Sequence, residues 1–207
     1  MFGSFRPGLI GTLTVTAVSC AALVIAQVQA RGPVVVSSAR VTIAGSSNVI
    51  DWSATTTAAR TANVKVTSDL PGGDFFWVGV LQPGAVSSFD LVVPVTALVS
   101  DRDNFTADLH KALKADQFPD IVFRLVRLEQ RPGGAIAHGT LQVAGVVREV
   151  ALPVVTSTRN GALWVSGSID LMMTDFGIEP PTAMLGTLKT NPKVTVRFET
   201  VLTRQTT

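Results

Sequence analysis

The sequence predicts an all-β protein, an antiparallel sandwich or barrel interrupted by one short helix. Three observations carry that expectation. Past Arg31, apolar and polar residues alternate along most of the chain, the period of strands with one covered face and one wet face. Glycine and proline turn signals divide those segments at short intervals, with no cue for crossover helices and a parallel sheet. One stretch, VSDRDNFTADLHKALKADQFPD, breaks the rhythm with apolar residues four apart.

The first element is not a strand. MFGSFRPG, carrying Arg6, precedes an apolar run from Leu9 to Ala26, and the small Ala30, with Val28 two residues before it, fits a cleavage site before Arg31. Residues 1–30 are therefore expected to be a signal peptide and residues 31–207 the working domain. A retained membrane anchor is the alternative, since the run is near the lower length limit for a spanning helix. Cys20 lies inside the run, and Ala17 three residues before it suits lipidation poorly. Cleavage after Ala30 leaves no cysteine, so an exported domain would rely on its core and not on disulfides. A periplasmic or secreted location follows as an expectation.

Strands come next. Ile50, Trp52 and Ala54 alternate with Asp51 and Ser53; Val64 and Val66 flank Lys65; Val194, Val196 and Phe198 alternate with Thr195, Arg197 and Glu199. Less regular strand signals run from Ser88 to Val95, Ile121 to Leu128, Ile136 to Val143, Val146 to Val155 and Leu163 to Met172. Turns are expected at PGGD (Pro71), QPG (Gln82), RPGG (Arg131), AG (Ala144) and RNG (Arg159).

The helix is expected between Ser100 and Lys114. Ser100 followed by Asp103 resembles a capping box, Asp101 and Asp103 suit its positive end, and Lys111 and Lys114 its negative end. Phe105, Leu109 and Leu113 form one apolar stripe, and Pro119 stops the helix. Such a stripe must lie on something. It covers the lumen if the strands close into a barrel, or packs on the outside of a sandwich.

Chemistry-bearing residues are sparse. The chain has 46% hydrophobic and 15% charged residues, against a usual charged fraction of about 25%. The formal charge of +2 falls by one if Arg6 is lost, and no basic run occurs, which argues against nucleic acid. Past Ala30 the candidate nucleophiles and bases reduce to His110 and His138, with no cysteine and no G-x-S-x-G elbow, so no enzymatic activity is expected. His110, on the helix among Lys111 and Lys114, reads as solvated and His138 as structural. No cluster has metal-ligand spacing, and SDRDNF lacks the glycine and distal glutamate of a calcium loop.

Three blocks bring a family into view. FDLVVPVTALVSDRDNFTADLHKALKADQFPDIVFRL gives a strand, a short helix and a P-x-I-x-F strand; GTLQVAGVVREVALPV gives a hairpin turning at Gly145; DFGIEPPTAMLGTLK leads into VTVRFETVL. In this order they resemble the YceI-like family of exported, polyisoprenoid- or lipid-binding bacterial proteins. The helix keeps only part of a longer family run, in Asp116 and Phe118.

The resemblance implies an extended, lipocalin-like antiparallel barrel of about eight strands with a short α-helix covering its mouth, a size that leaves room for one small ligand. It implies a non-enzymatic carrier with no cofactor, whose ligand is an isoprenoid or fatty amphiphile. Strand parity then assigns Ile50, Trp52, Phe123, Leu125, Leu141, Leu152, Leu171 and Phe198 to the wall. Phe105, Leu109, Leu113, Phe118 and Phe176 would close the mouth. In the loop Asp175 to Lys189 the prolines stiffen the chain, Gly177 and Gly186 allow tight geometry, and Phe176, Ile178, Met184 and Leu185 turn inward, as a rim or as ordinary core. A membrane-associated donor or acceptor would serve such a carrier, and a homodimer stays open. The rival expectation is a barrel filled by its own side chains that acts through its surface beside membrane redox proteins.

Overall fold

The computed structural model describes residues 33–67, 69–183 and 188–205. The expected signal segment, with Cys20 and the Ala30 site, and Met184, Leu185 and Gly186 lie outside the described residues.

Ten antiparallel strands form one curled sheet: β1 (Val34–Ser47), β2 (Asp51–Thr56), β3 (Arg60–Val66), β4 (Val86–Pro94), β5 (Asp120–Arg131), β6 (Gly134–Val143), β7 (Val146–Arg159), β8 (Ala162–Met172), the two-residue β9 (Thr182–Ala183) and β10 (Leu188–Arg204). Their order is β2-β1-β10-β8-β7-β6-β5-β4-β3, with β9 beside β10. The two edge strands, β2 and β3, follow one another in the chain through residues 57–59. The Thr61 hydroxyl donates to the Val34 carbonyl at 3.4 Å, which sets β3 against the first half of β1. Side chains from distant strands meet inside, as Val41 of β1 does with Val93 of β4. The sheet thus comes round on itself, the architecture expected, with nine strands in its continuous order rather than about eight.

The additional strand is β1, which the alternation did not single out. A bulge against β10 between Val36 and Ser38 shifts its parity, so that Val34 and Val36 face inward on one side of it and Ala39, Val41 and Ile43 on the other. The expected hairpin turns at Ala144-Gly145 and Asn160-Gly161 form with both central residues at positive φ, the geometry that suits the twist of the flanking strands.

Two helices cap the ends. α2 (Asp103–Ala112) lies where the stripe predicted it, but the capping box does not form: Arg102 is the N-cap, with no side-chain cap, and the Ser100 amide instead donates to Thr106 Oγ1 at 2.9 Å. It ends before Pro119, where Lys114 turns to a φ of 54°. α1 (Phe76–Val80), absent from the sequence expectation, packs Trp77 and Val80 with Val34, Leu163 and Leu202. Its two-sided burial over five residues leaves no helical period to read.

Candidate functional site

Inward parity gives the barrel an apolar lumen in two adjoining compartments. The outer one, about 730 Å³, opens beneath α2; the inner one, about 190 Å³, ends on α1. Val41, Val93, Ile121, Leu141, Leu171 and Val196 line both, so the two are continuous along the wall.

The expected wall residues fall into place along this axis. Ile50, Trp52, Phe105, Leu109, Leu113 and Phe176 surround the outer compartment. Phe123, Leu125, Leu152 and Phe198 surround the inner one, and Leu141 and Leu171 reach both. Phe118 is the correction. Its ring lies against Gly145, in the space a Cβ would need, so it clamps the β6–β7 turn and does not line the lumen.

Phe176 joins the two roles left open for its loop. It is buried with Val143, Met173, Ile178 and Val194, and the same side chain lines the outer compartment. A 3-10 turn, Met173–Phe176, brings it inward, and Gly177 ends that turn in the left-handed region at φ 65°, which a β-carbon would disfavour.

Glycine seats decide how much of the lumen stays hollow. An added Cβ at Gly167 would fall 2.6 Å from Cζ of Phe198, its cross-strand partner, and one at Gly139 would fall 2.8 Å from the Phe123 ring. Gly45 stands opposite Trp52 and has the indole where its Cβ would be. Each ring reclines on a neighbouring strand instead of standing across the tunnel. A single sequence without register does not reveal these pairs.

At the mouth, Phe105 of α2 rests on Trp52 with ring centroids 4.8 Å apart. Ser47, Arg102, Asn104, Asp108 and Thr190 supply the polar part of the outer lining. The floor is closed by Trp77, 2% exposed, whose indole N–H donates to the Gly161 carbonyl at 2.7 Å. Within the inner compartment the buried Thr200 hydroxyl has no partner among the described residues.

Among the described residues, Arg102 and Asp108 at the rim are the titratable groups of the lining, and the two histidines are engaged elsewhere. His110 is not simply solvated: its Nε2 lies 2.8 Å from the Leu98 carbonyl, tying α2 to the end of the 3-10 turn that follows β4. His138 Nε2 lies 2.8 Å from Glu129. That hydrogen bond, with help from Arg127, holds the Glu129 carboxyl below its ordinary range. Lys193 at 2.8 Å, then Thr195, does the same for Asp170. Among the described residues no group of His, Cys, Asp or Glu is placed to hold a metal ion, and no helix is long and apolar enough to cross a membrane. The arrangement can enclose apolar matter and leave a polar end at the rim.

Comparison with known proteins agrees with this architecture. The family model described as YceI-like domain matches residues 13–202. No curated protein matches. The solved structure of BcnA from Burkholderia cenocepacia superposes with a TM-score of 0.62 at 12% identity, covering 79% of this chain and 95% of that one. A polyisoprenoid binding domain from Saccharophagus degradans, implicated in plant cell wall breakdown, gives 0.61 at 9% identity, covering 84% and 100%. A YCEI protein of Campylobacter jejuni gives 0.51 at 14% identity, covering 72% and 85%.

Proposed function

We propose that this chain, which belongs to the YceI-like domain family, is a non-enzymatic binding protein that carries an isoprenoid or other long-chain amphiphile in its lumen. The observation that carries the reading is the outer compartment. At about 730 Å³ it lies within the roughly 300–1,000 Å³ of small-molecule sites, and it is open where α2 crosses. Each methylene taken from water contributes about 0.8 kcal/mol, so a tail of roughly fifteen carbons, about 12 kcal/mol gross, leaves about the 8 kcal/mol of micromolar binding after about 4 kcal/mol of association and ordering cost. The tail enters first, and the head group stays with Arg102, Asn104 and Asp108.

The polyisoprenoid binding named for the Saccharophagus degradans domain supports the ligand class. The apolar run from Leu9 to Ala26 supports export to the periplasm or beyond, where a membrane-associated donor or acceptor would load and unload the barrel.

Native mass spectrometry of protein purified from its own host tests the reading. A reproducible adduct of lipid mass is expected, and its loss on Phe105→Ala or Leu109→Ala would place it under α2. A bare polypeptide mass under gentle conditions overturns the carrier reading in favour of a self-filled barrel acting through its surface.

A further inference from the structure

The closed end of the barrel carries a second surface that the lumen does not use. α1 turns Trp77 and Val80 inward and leaves Val78 54% exposed, and Phe75, which ends the 3-10 turn just before it, is 68% exposed. The β7–β8 turn belongs to this end, since Trp77 donates to Gly161 within it, and just past the turn Trp164 is 46% exposed. Two guanidinium groups lie at this end: Arg159 is 5.9 Å from the centre of the exposed Trp164, and Arg204 is 4.8 Å from that of Phe76, which is itself buried beside Phe75 in the chain. Exposed Phe and Trp beside arginines is the composition that seats a protein in the head-group layer of a bilayer, with apolar parts inward and cations at the phosphates.

Chain geometry points the same way. β1 begins here, where the Gln205 amide donates to the Pro33 carbonyl at 3.0 Å and Val34 packs on Trp77. The apolar run ending at Ala26 therefore joins the barrel at the α1 end. Residues 27–32 span at most roughly 20 Å when extended, at about 3.5 Å each. While the run occupies a membrane, during export or as a retained anchor, the α1 end is the end that faces the bilayer.

We infer that the α1 end, through Phe75, Val78 and Trp164 with Arg159 and Arg204, is a docking surface for an anionic lipid bilayer. It holds the mouth beneath α2 away from the membrane plane. This does not rest on the lumen carrying a lipid, and a barrel with an empty lumen would dock equally.

The test uses the full chain in vesicles of phosphatidylcholine and phosphatidylglycerol whose acyl chains carry bromine, which quenches nearby indoles. Two reporters are compared: Phe75→Trp at the α1 end, and Val49→Trp at the mouth, where Val49 is 66% exposed. Brominated lipid should cut the added emission of the first at least about twofold and leave the second unchanged, as insertion to head-group depth requires. Phe75→Asp with Val78→Asp should restore Trp164 emission although the run from Leu9 to Ala26 still tethers the chain. Equal quenching of both reporters, quenching of the mouth reporter alone, or no response to the aspartates overturns the inference. So does a lipid-free dimer, seen by sedimentation, that the aspartates dissociate, because the surface then serves a second copy. Val78→Trp replaces Phe75→Trp should the latter lower the melting temperature. The mass-spectrometric adduct is read separately, so failure of docking and failure of the carrier reading are told apart.

Discussion

The two ends of the lumen are built from the same strands by the same alternation, yet one is hollow and the other nearly full. At the floor, a large aromatic from a short helix is driven into the tunnel and its one polar atom is satisfied by a neighbouring turn. At the mouth, the comparable aromatic belongs to the wall itself, lies flat on a glycine, and meets a helix that only rests on it. The difference teaches that alternation decides which residues face inward, while cavity volume is set by what caps each end and by where a ring finds a glycine to lie on.

The strongest way to break this contrast is Trp77→Ala. Removing the floor should cost about 3–5 kcal/mol in urea unfolding, the range for deleting a buried aromatic, with little change in affinity for a ligand held under α2. A large fall in affinity at unchanged stability would mean the floor is part of the site.

Glycine substitutions sharpen it. At Gly167 an added methyl meets the Pro153 backbone carbonyl at 2.5 Å as well as Phe198, so Gly167→Ala should lower stability by about 1–3 kcal/mol. At Gly45 the methyl meets only the Trp52 side chain, which can swing into the open compartment. Gly45→Ala should therefore cost less stability and more ligand capacity, read by titration with a fluorescent fatty amphiphile. Equal stability losses would refute the two-ended picture.

Smaller still is Phe105→Ala. The ring is only half-buried, and its loss should cost about 1 kcal/mol or less while speeding ligand release, measured by stopped-flow exchange.

The smallest effect is acid sensitivity of the outer wall, unrelated to either end. Glu129 and Asp170 are held below their ordinary values of 4.5 and 3.8, so their stabilisation is present above those values and fades as pH falls through the lower folded ones. Glu129 is half-exposed and Asp170 exposed, so solvent screens both, and Glu129→Gln should flatten the acid limb of a melting-temperature profile only slightly.

Much of this was legible in the chain because alternation survives burial. Ile50, Trp52, Phe123, Leu125, Leu141, Leu152, Leu171 and Phe198 were placed inward by parity alone, and the α2 stripe by its spacing of four. What was hidden depended on partners. The bulge in β1 broke the period that would have marked it, α1 is too short to show one, and the seats at Gly45, Gly139 and Gly167 exist only once neighbouring strands are in register. Phe118 misled because a phenylalanine beside a helix end gives no sign whether it faces the lumen or a turn. Ser100 misled because Thr106, one turn into the helix, took the hydrogen bond that the cap would have used.

The pairing of β1 with β10, Val34 opposite Arg204, joins the first described strand to the last. The β3-to-β8 meander has neighbouring partners as soon as it is made, and β1 meets β2 at once, whereas the other edge of β1 must wait for β10, which makes closure a late and slow step. Until then its edge is bare and open to strangers. A nascent chain of this kind is at its most vulnerable just before β10 is made, and without β10 that edge of the opening strand would stay unmatched.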